Sequence, residues 1–167
     1  PPSNRTGFRP DAATTAHGLA TPFGMVSHTG VGGLTLGGGM GWLSRKFGMS
    51  IDNLLSCQVV TADGQCIAAS AHENEELFWA LRGGGGNFGV VTSFEYRLHL
   101  VGPTVLAGLM LHPAARAREV LASYRECVAT APDELMTFVV LTTAPAAPFL
   151  PASIHGQSVV MIGVCYA

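Results

Sequence analysis

Between Gly24 and Gly41 the sequence reads GMVSHTGVGGLTLGGGMG, in which eight of eighteen positions are glycine and none is charged. Glycine gives up more conformational entropy on folding than any other residue. Such density in an apolar stretch therefore needs a compensating use, either a positive φ or a backbone that something approaches closely. Ser27, His28 and Thr29 place polar side chains just ahead of the tightest run, Gly30 to Gly33. Backbone N–H groups there can face an anionic group, and a phosphate-bearing cofactor is the natural candidate. The competing reading is that the glycines serve turns and helix packing alone.

Two familiar phosphate motifs fail on spacing. A Walker loop needs a lysine directly after its last glycine, and the only lysine in the chain is Lys46. Gly84, Gly86 and Gly89 match Gly-x-Gly-x-x-Gly, but the segment before them, Glu73 to Arg82, reads as helix where a dinucleotide fingerprint requires a strand. A Rossmann domain is not expected.

A longer pattern runs through the same region: Ser27, Thr29-Gly30-Val31-Gly32-Gly33, Gly37-Gly38-Gly39, Gly41-Trp42-Leu43-Ser44-Arg45, Phe47-Gly48 and Asp52-Asn53-Leu54. It continues with Glu75, Leu77-Phe78-Trp79-Ala80-Leu81-Arg82, four glycines, and Asn87-Phe88-Gly89-Val90-Val91-Thr92. In order and spacing, from about His17 to Leu100, this closely resembles FAD-linked oxidases of the berberine bridge enzyme type. The resemblance implies an α+β fold. Residues 1–101 would be the second half of a PCMH-type, vanillyl-alcohol-oxidase-like FAD-binding domain, and residues 102–167 the beginning of an antiparallel-sheet substrate-binding domain.

The resemblance also implies FAD as cofactor. Gly24, Met25 and Val26 would pass beside the isoalloxazine, and Thr29, Gly30, Val31, Gly32 and Gly33 would line the pyrophosphate. Gly38, Gly39 and Gly41 would allow close packing behind it, and the backbone of Val90 and Val91 would touch adenine. Neutral N–H groups meeting two phosphate charges suit a loop without Lys or Arg. Gly32 is expected where a Cβ would collide with the cofactor or the helix beneath it. Val26 occupies the position at which some members carry a cysteine joined to flavin C6, so no cysteinyl link is expected here.

Composition narrows the remaining classes. Charged residues are 12% of the 167, about half the usual share, while hydrophobic residues reach 48%. Such a chain looks like interior, as expected of part of a larger protein. The longest apolar run, Val159 to Ala167, is too short to cross a bilayer and contains a glycine. A net charge of -2 with nine scattered Lys and Arg argues against nucleic acid. Cys57, Cys66, Cys127 and Cys165 show neither Cys-x-x-Cys nor zinc spacing with histidine, so no metal is expected. Free thiols lean towards a reducing, cytoplasmic compartment.

Coarse elements follow from pattern. Pro1 to Pro10 reads as loop, and Ala12 to Leu19 as a helix capped by Asp11. Trp42 to Phe47 reads as a helix stopped by Gly48. Leu54 to Ala62 and Gln65 to Ala69 read as a hairpin on a two-residue Asp63-Gly64 turn, placing Cys66 opposite Thr61 and Cys57 opposite Ser70. Asn74 is expected to cap a helix carrying Glu75 and Glu76 in its first turn, and Val90 to Leu100 to form one strand. Gly102-Pro103 marks a boundary. Beyond it come a strand over Val105 to Leu111, a helix opened by Pro113, and strands over Thr137 to Thr142 and Val159 to Tyr166.

The function implied is FAD-dependent oxidation of an alcohol, sugar or amine by hydride transfer to flavin, with molecular oxygen as acceptor and a small molecule as substrate. A non-catalytic flavin or nucleotide module, an inactive fragment, and a structural domain whose glycines only pack stand beside it. No catalytic residue is nominated. Tyr96, Tyr124 and Tyr166 have core or strand readings, and His28 is more simply structural.

Overall fold

The computed structural model describes residues 8–102 and 104–167. The chain divides into two compact units, Pro1–Thr104 and Val105–Ala167. In the first, helix α1 (Phe8–Thr15) starts earlier than its sequence pattern suggests. Pro10 falls in the first turn, where a missing N–H breaks no helical bond. The expected loop over Pro1 to Gly7 lies outside the described residues. Leu19, expected in that helix, instead opens a short strand β1 (Leu19–Ala20).

The glycine stretch contains a helix that pattern alone does not reveal, α2 (Val31–Leu36). VGGLTL has poor helix propensity, so packing must supply the stability. Val31, Thr35 and Leu36 are buried. Thr35 Oγ1 shares a 2.6 Å hydrogen bond with the Tyr96 hydroxyl, and Gly83 N donates to Leu36 O at 3.1 Å. Helix α3 (Ser44–Phe47) follows and Gly48 ends it, then a 3-10 turn over Ser50–Asn53.

Strands β2 (Leu54–Val60) and β3 (Cys66–Ser70) form the expected hairpin, but one residue out of the expected register. Val60 faces Cys66 and Cys57 faces Ala69. Thr61 N donates to Gln65 O, which closes a three-residue loop with Gly64 at φ 81°. A type I turn followed by a left-handed glycine is the next commonest hairpin solution. The thiols remain unpaired; all four cysteines are free.

Helix α4 (Glu75–Leu81) begins where expected. The Asn74 side chain does not cap it but donates to Ala68 O at 2.7 Å, tying the helix to β3. The single strand expected over Val90 to Leu100 is two, β4 (Val90–Tyr96) and β5 (His99–Leu100). Sheet order is β3-β2-β4, with β5 pairing β1 separately. Leu36, Leu54, Cys57, Val59, Ala69, Phe78 and Leu81 form the core between helices and sheet. Each large aliphatic or aromatic side chain buried there contributes about 1.5–3 kcal/mol.

The second unit is an antiparallel sheet with a helix on one face. Its strands are β6 (Leu106–Pro113), β7 (Leu135–Thr143) and β8 (Ser158–Tyr166), in the order β6-β8-β7. Pro113 closes β6 instead of opening a helix, and a 3-10 turn over Ala114–Arg116 leads into α5 (Ala117–Thr130). Val120 packs on Val160 and Ile162, with Ala117, Tyr124, Val139 and Val164 around them. Alternation along β8 turns Val160, Ile162 and Val164 towards the helix.

Candidate functional site

The chain at Phe23 and Gly24 runs against Gly41 without room to spare. A Cβ on Gly41 would sit 2.7 Å from the Phe23 carbonyl carbon and closer still to its oxygen. At Gly39, φ is 79°, and a Cβ would lie 2.6 Å from Ser50 Cβ. Ser50 is fully buried, and its hydroxyl reaches Pro22 O at 2.6 Å and Gly39 O at 3.1 Å. Its N–H donates to Gly39 O at 2.8 Å, and Ile51 N to Gly38 O at 3.1 Å.

Below this sits Asn53, 2% exposed. Its Nδ2 donates to Phe47 O and Met49 O, both at 2.9 Å. With both amide hydrogens used, Oδ1 must accept from His99 Nε2 at 2.6 Å. His99 stacks on Phe47 with ring centroids 4.0 Å apart. Burial lowers the His99 pKa, and the Arg97 charge lowers it further. The unfolded chain therefore binds the proton more tightly than the folded one. Stability should fall as the pH drops through the ordinary histidine value, about 6.5, and level off below the folded value. Urea titrations between neutral and acidic pH should show that loss in the wild type and less of it in His99→Gln, whose amide still reaches Asn53.

Between these fixed stems the loop from Gly24 to Gly30 turns outward. Val26, Ser27 and His28 are exposed, Met25 and Thr29 half-buried, and Thr29 N closes the turn onto Val26 O at 3.0 Å. Gly33 is exposed, and nothing lies within 4 Å of where its Cβ would be. Gly30 brings no capping side chain to α2. Among protein atoms a Cβ on Gly32 would meet only the Phe94 ring, at 3.6 Å, an ordinary contact, so no helix of this chain stands in its way. Gly38, Gly39 and Gly41 are buried among protein atoms.

Val90 and Val91 lie on β4, which pairs with β2 on one side and forms the edge of its sheet. An edge strand leaves alternate N–H and C=O groups open to a ligand. Val90 is 65% exposed. Tyr96 stands under α2, stacked on Phe94 and edge-on to Phe23. Burial pushes its pKa up to about 12, so its phenol stays protonated and is not poised as a base.

The profile of a family described as an FAD binding domain matches residues 9–70. An FAD-linked oxidoreductase of Dictyostelium discoideum is 42% identical over 134 residues, which is 79% of this chain and 29% of that protein. Among solved structures, 6-hydroxy-D-nicotine oxidase from Arthrobacter nicotinovorans superposes with a TM-score of 0.81 at 31% identity, covering 96% of this chain and 34% of that one. The BBE-like 1 protein of Physcomitrella patens gives 0.78 at 29% identity over 96% and 33%. Residues 9–70 belong to the FAD binding domain family, and over the span it shares with them the chain is similar to the berberine bridge enzyme-like FAD-linked oxidoreductases. It spans about a third or less of the length of these relatives.

FAD is the cofactor of the matched domain, and the residues present fit it. The outward loop is uncharged and rich in peptide N–H groups, the donor set suited to a dianionic pyrophosphate. No thiol stands in that loop, and Cys57 is 2% exposed with its Sγ against Ala69 O. Among the described residues no group of His, Cys, Asp or Glu is placed to hold a metal ion, and no helix is long and apolar enough to cross a membrane.

Ser50 and Thr35 are frame residues that the sequence reading did not single out, and Tyr96 was read there only as a core or strand residue. Asp52-Asn53 was visible within the family pattern, but its bonding was not. In the second unit a cavity of about 330 Å³ lies between α5 and the sheet, lined by residues including His112, Tyr124, Leu135 and Ile162. Tyr124 hydrogen-bonds Thr137 Oγ1 across it at 2.9 Å.

Proposed function

We propose that this chain supplies the glycine-loop side of the FAD site in an enzyme that oxidises an alcohol, sugar or amine by hydride transfer, with molecular oxygen as acceptor. The observation that carries the reading is the outward loop Gly24 to Gly30, held on a rigid frame within the segment matched to the FAD binding domain. When bound, FAD supplies the hydride acceptor. The loop from Gly24 to Val26 orients the isoalloxazine, Thr29 to Gly33 hold the pyrophosphate, and the open edge of β4 at Val90 and Val91 receives adenine. Residues 1–101 belong to the FAD domain, and 102–167 begin the substrate-binding sheet. Tyr96 and Tyr124 already hold structural hydrogen bonds, so neither is assigned as the proton acceptor.

The test is the visible spectrum of the whole purified enzyme that carries this chain. Flavin bands, FAD recovered on denaturation, anaerobic bleaching by an alcohol, sugar or amine, and return of colour on admitting air are the expected results. A colourless protein that takes up no added FAD would reject the reading, and colour that stays bleached in air would reject oxygen as acceptor.

A further inference from the structure

We infer that Ser50 is a positioning residue for the flavin-facing loop, an inference that rests on the FAD reading above. The loop Gly24 to Gly30 is a short excursion whose entry stem is Thr21 to Phe23 and whose exit is α2. Ser50 Oγ spans the base of that excursion. Fully buried, it donates between the Pro22 carbonyl, at 2.6 Å on the entry stem, and the Gly39 carbonyl, at 3.1 Å just beyond α2. Its own N–H donates to that same Gly39 carbonyl, at 2.8 Å. The place that a Cβ of Gly39 would fill is taken by the Ser50 side chain, so the serine and the glycine form one fitted pair.

The height of the entry stem is therefore set by a single hydroxyl. Gly41, packed on the next carbonyl along, prevents the stem from moving inwards. Without the hydroxyl, the Pro22 carbonyl loses its buried donor and the stem has reason to shift outwards, towards the face that the loop offers to the cofactor. The loop itself makes few contacts of its own, since Val26 is 50% exposed and its neighbours are exposed or half-buried. A displacement at the stem passes directly into the loop.

The test compares FAD-loaded wild type with Ser50→Ala, Ser50→Cys and Phe78→Leu. The cysteine keeps volume but donates weakly, and Phe78 is a buried core residue on α4 outside the proposed site. Ser50→Ala and Ser50→Cys should weaken FAD binding about tenfold and change the visible circular dichroism of the bound flavin. Phe78→Leu, chosen for a similar loss of apo-protein melting temperature, should change neither. If Ser50→Ala and Phe78→Leu bind FAD alike and show wild-type flavin dichroism, Ser50 is merely structural and the inference is overturned. Wild-type protein that fails to bind FAD would reject the flavin reading, and this inference with it.

Discussion

Replacing Gly41 by alanine is expected to cost about 3 kcal/mol or more, enough to leave little folded protein at growth temperature. The methyl group would be driven into the Phe23 carbonyl, which is backbone and cannot rotate away. Relief requires the entry stem to move, and that stem is tied to Ser50 through the Pro22 carbonyl. Gly33→Ala in the same stretch makes the contrast. Nothing lies within 4 Å of its Cβ position, and it sits inside α2. There the substitution should be neutral or stabilise the apo protein by up to about 1 kcal/mol. Thermal melts of both variants check the pair, and a Gly41→Ala protein that melts with the wild type would refute the packing argument.

Asn53→Asp should be nearly as damaging, at about 3 kcal/mol near neutral pH, although it changes no volume. The Asn53 amide nitrogen donates to two carbonyl oxygens at 2.9 Å each, and a carboxylate would present an acceptor to both. Only the oxygen that faces His99 keeps a complementary partner. The cost should depend on pH in a definite direction. Burial beside two carbonyls raises the folded-state pKa of the new carboxyl above its unfolded value. Its penalty is then smallest below the unfolded carboxylate value and grows as pH rises through the folded one. Denaturant titrations at acidic and neutral pH should show the variant recovering relative to wild type in acid. A penalty independent of pH would mean that Asn53 acts through shape and not through its donors.

Much of this protein was legible in its sequence because the relevant signals are local. The density of glycine between Gly24 and Gly41 announced a closely approached backbone, and the run from Thr29 to Asn53 carried the family and with it FAD. Gly48 stopped α3, and Glu75 and Glu76 opened α4 in the favourable field of a helix N-terminus, because caps and dipoles act within one turn. Hydrophobic alternation located β2, β6 and β8 to within a few residues.

Tertiary structure decided what depends on partners distant along the chain. A helix inside VGGLTL runs against propensity and exists because Thr35 and Leu36 find Tyr96 and Gly83 across the fold. The hairpin register turned on whether two or three residues suited the twist at Gly64, which the Asp-Gly pair alone leaves open. The glycines also divided by role. Gly39 and Gly41 are needed because Ser50 and Phe23 occupy the space beside them, whereas Gly33 has open space and Gly32 an aromatic face. Sequence marks each of them simply as a residue without a side chain. What fills the place of that missing side chain, protein or ligand, is set by long-range packing, and only the folded chain brings those atoms together.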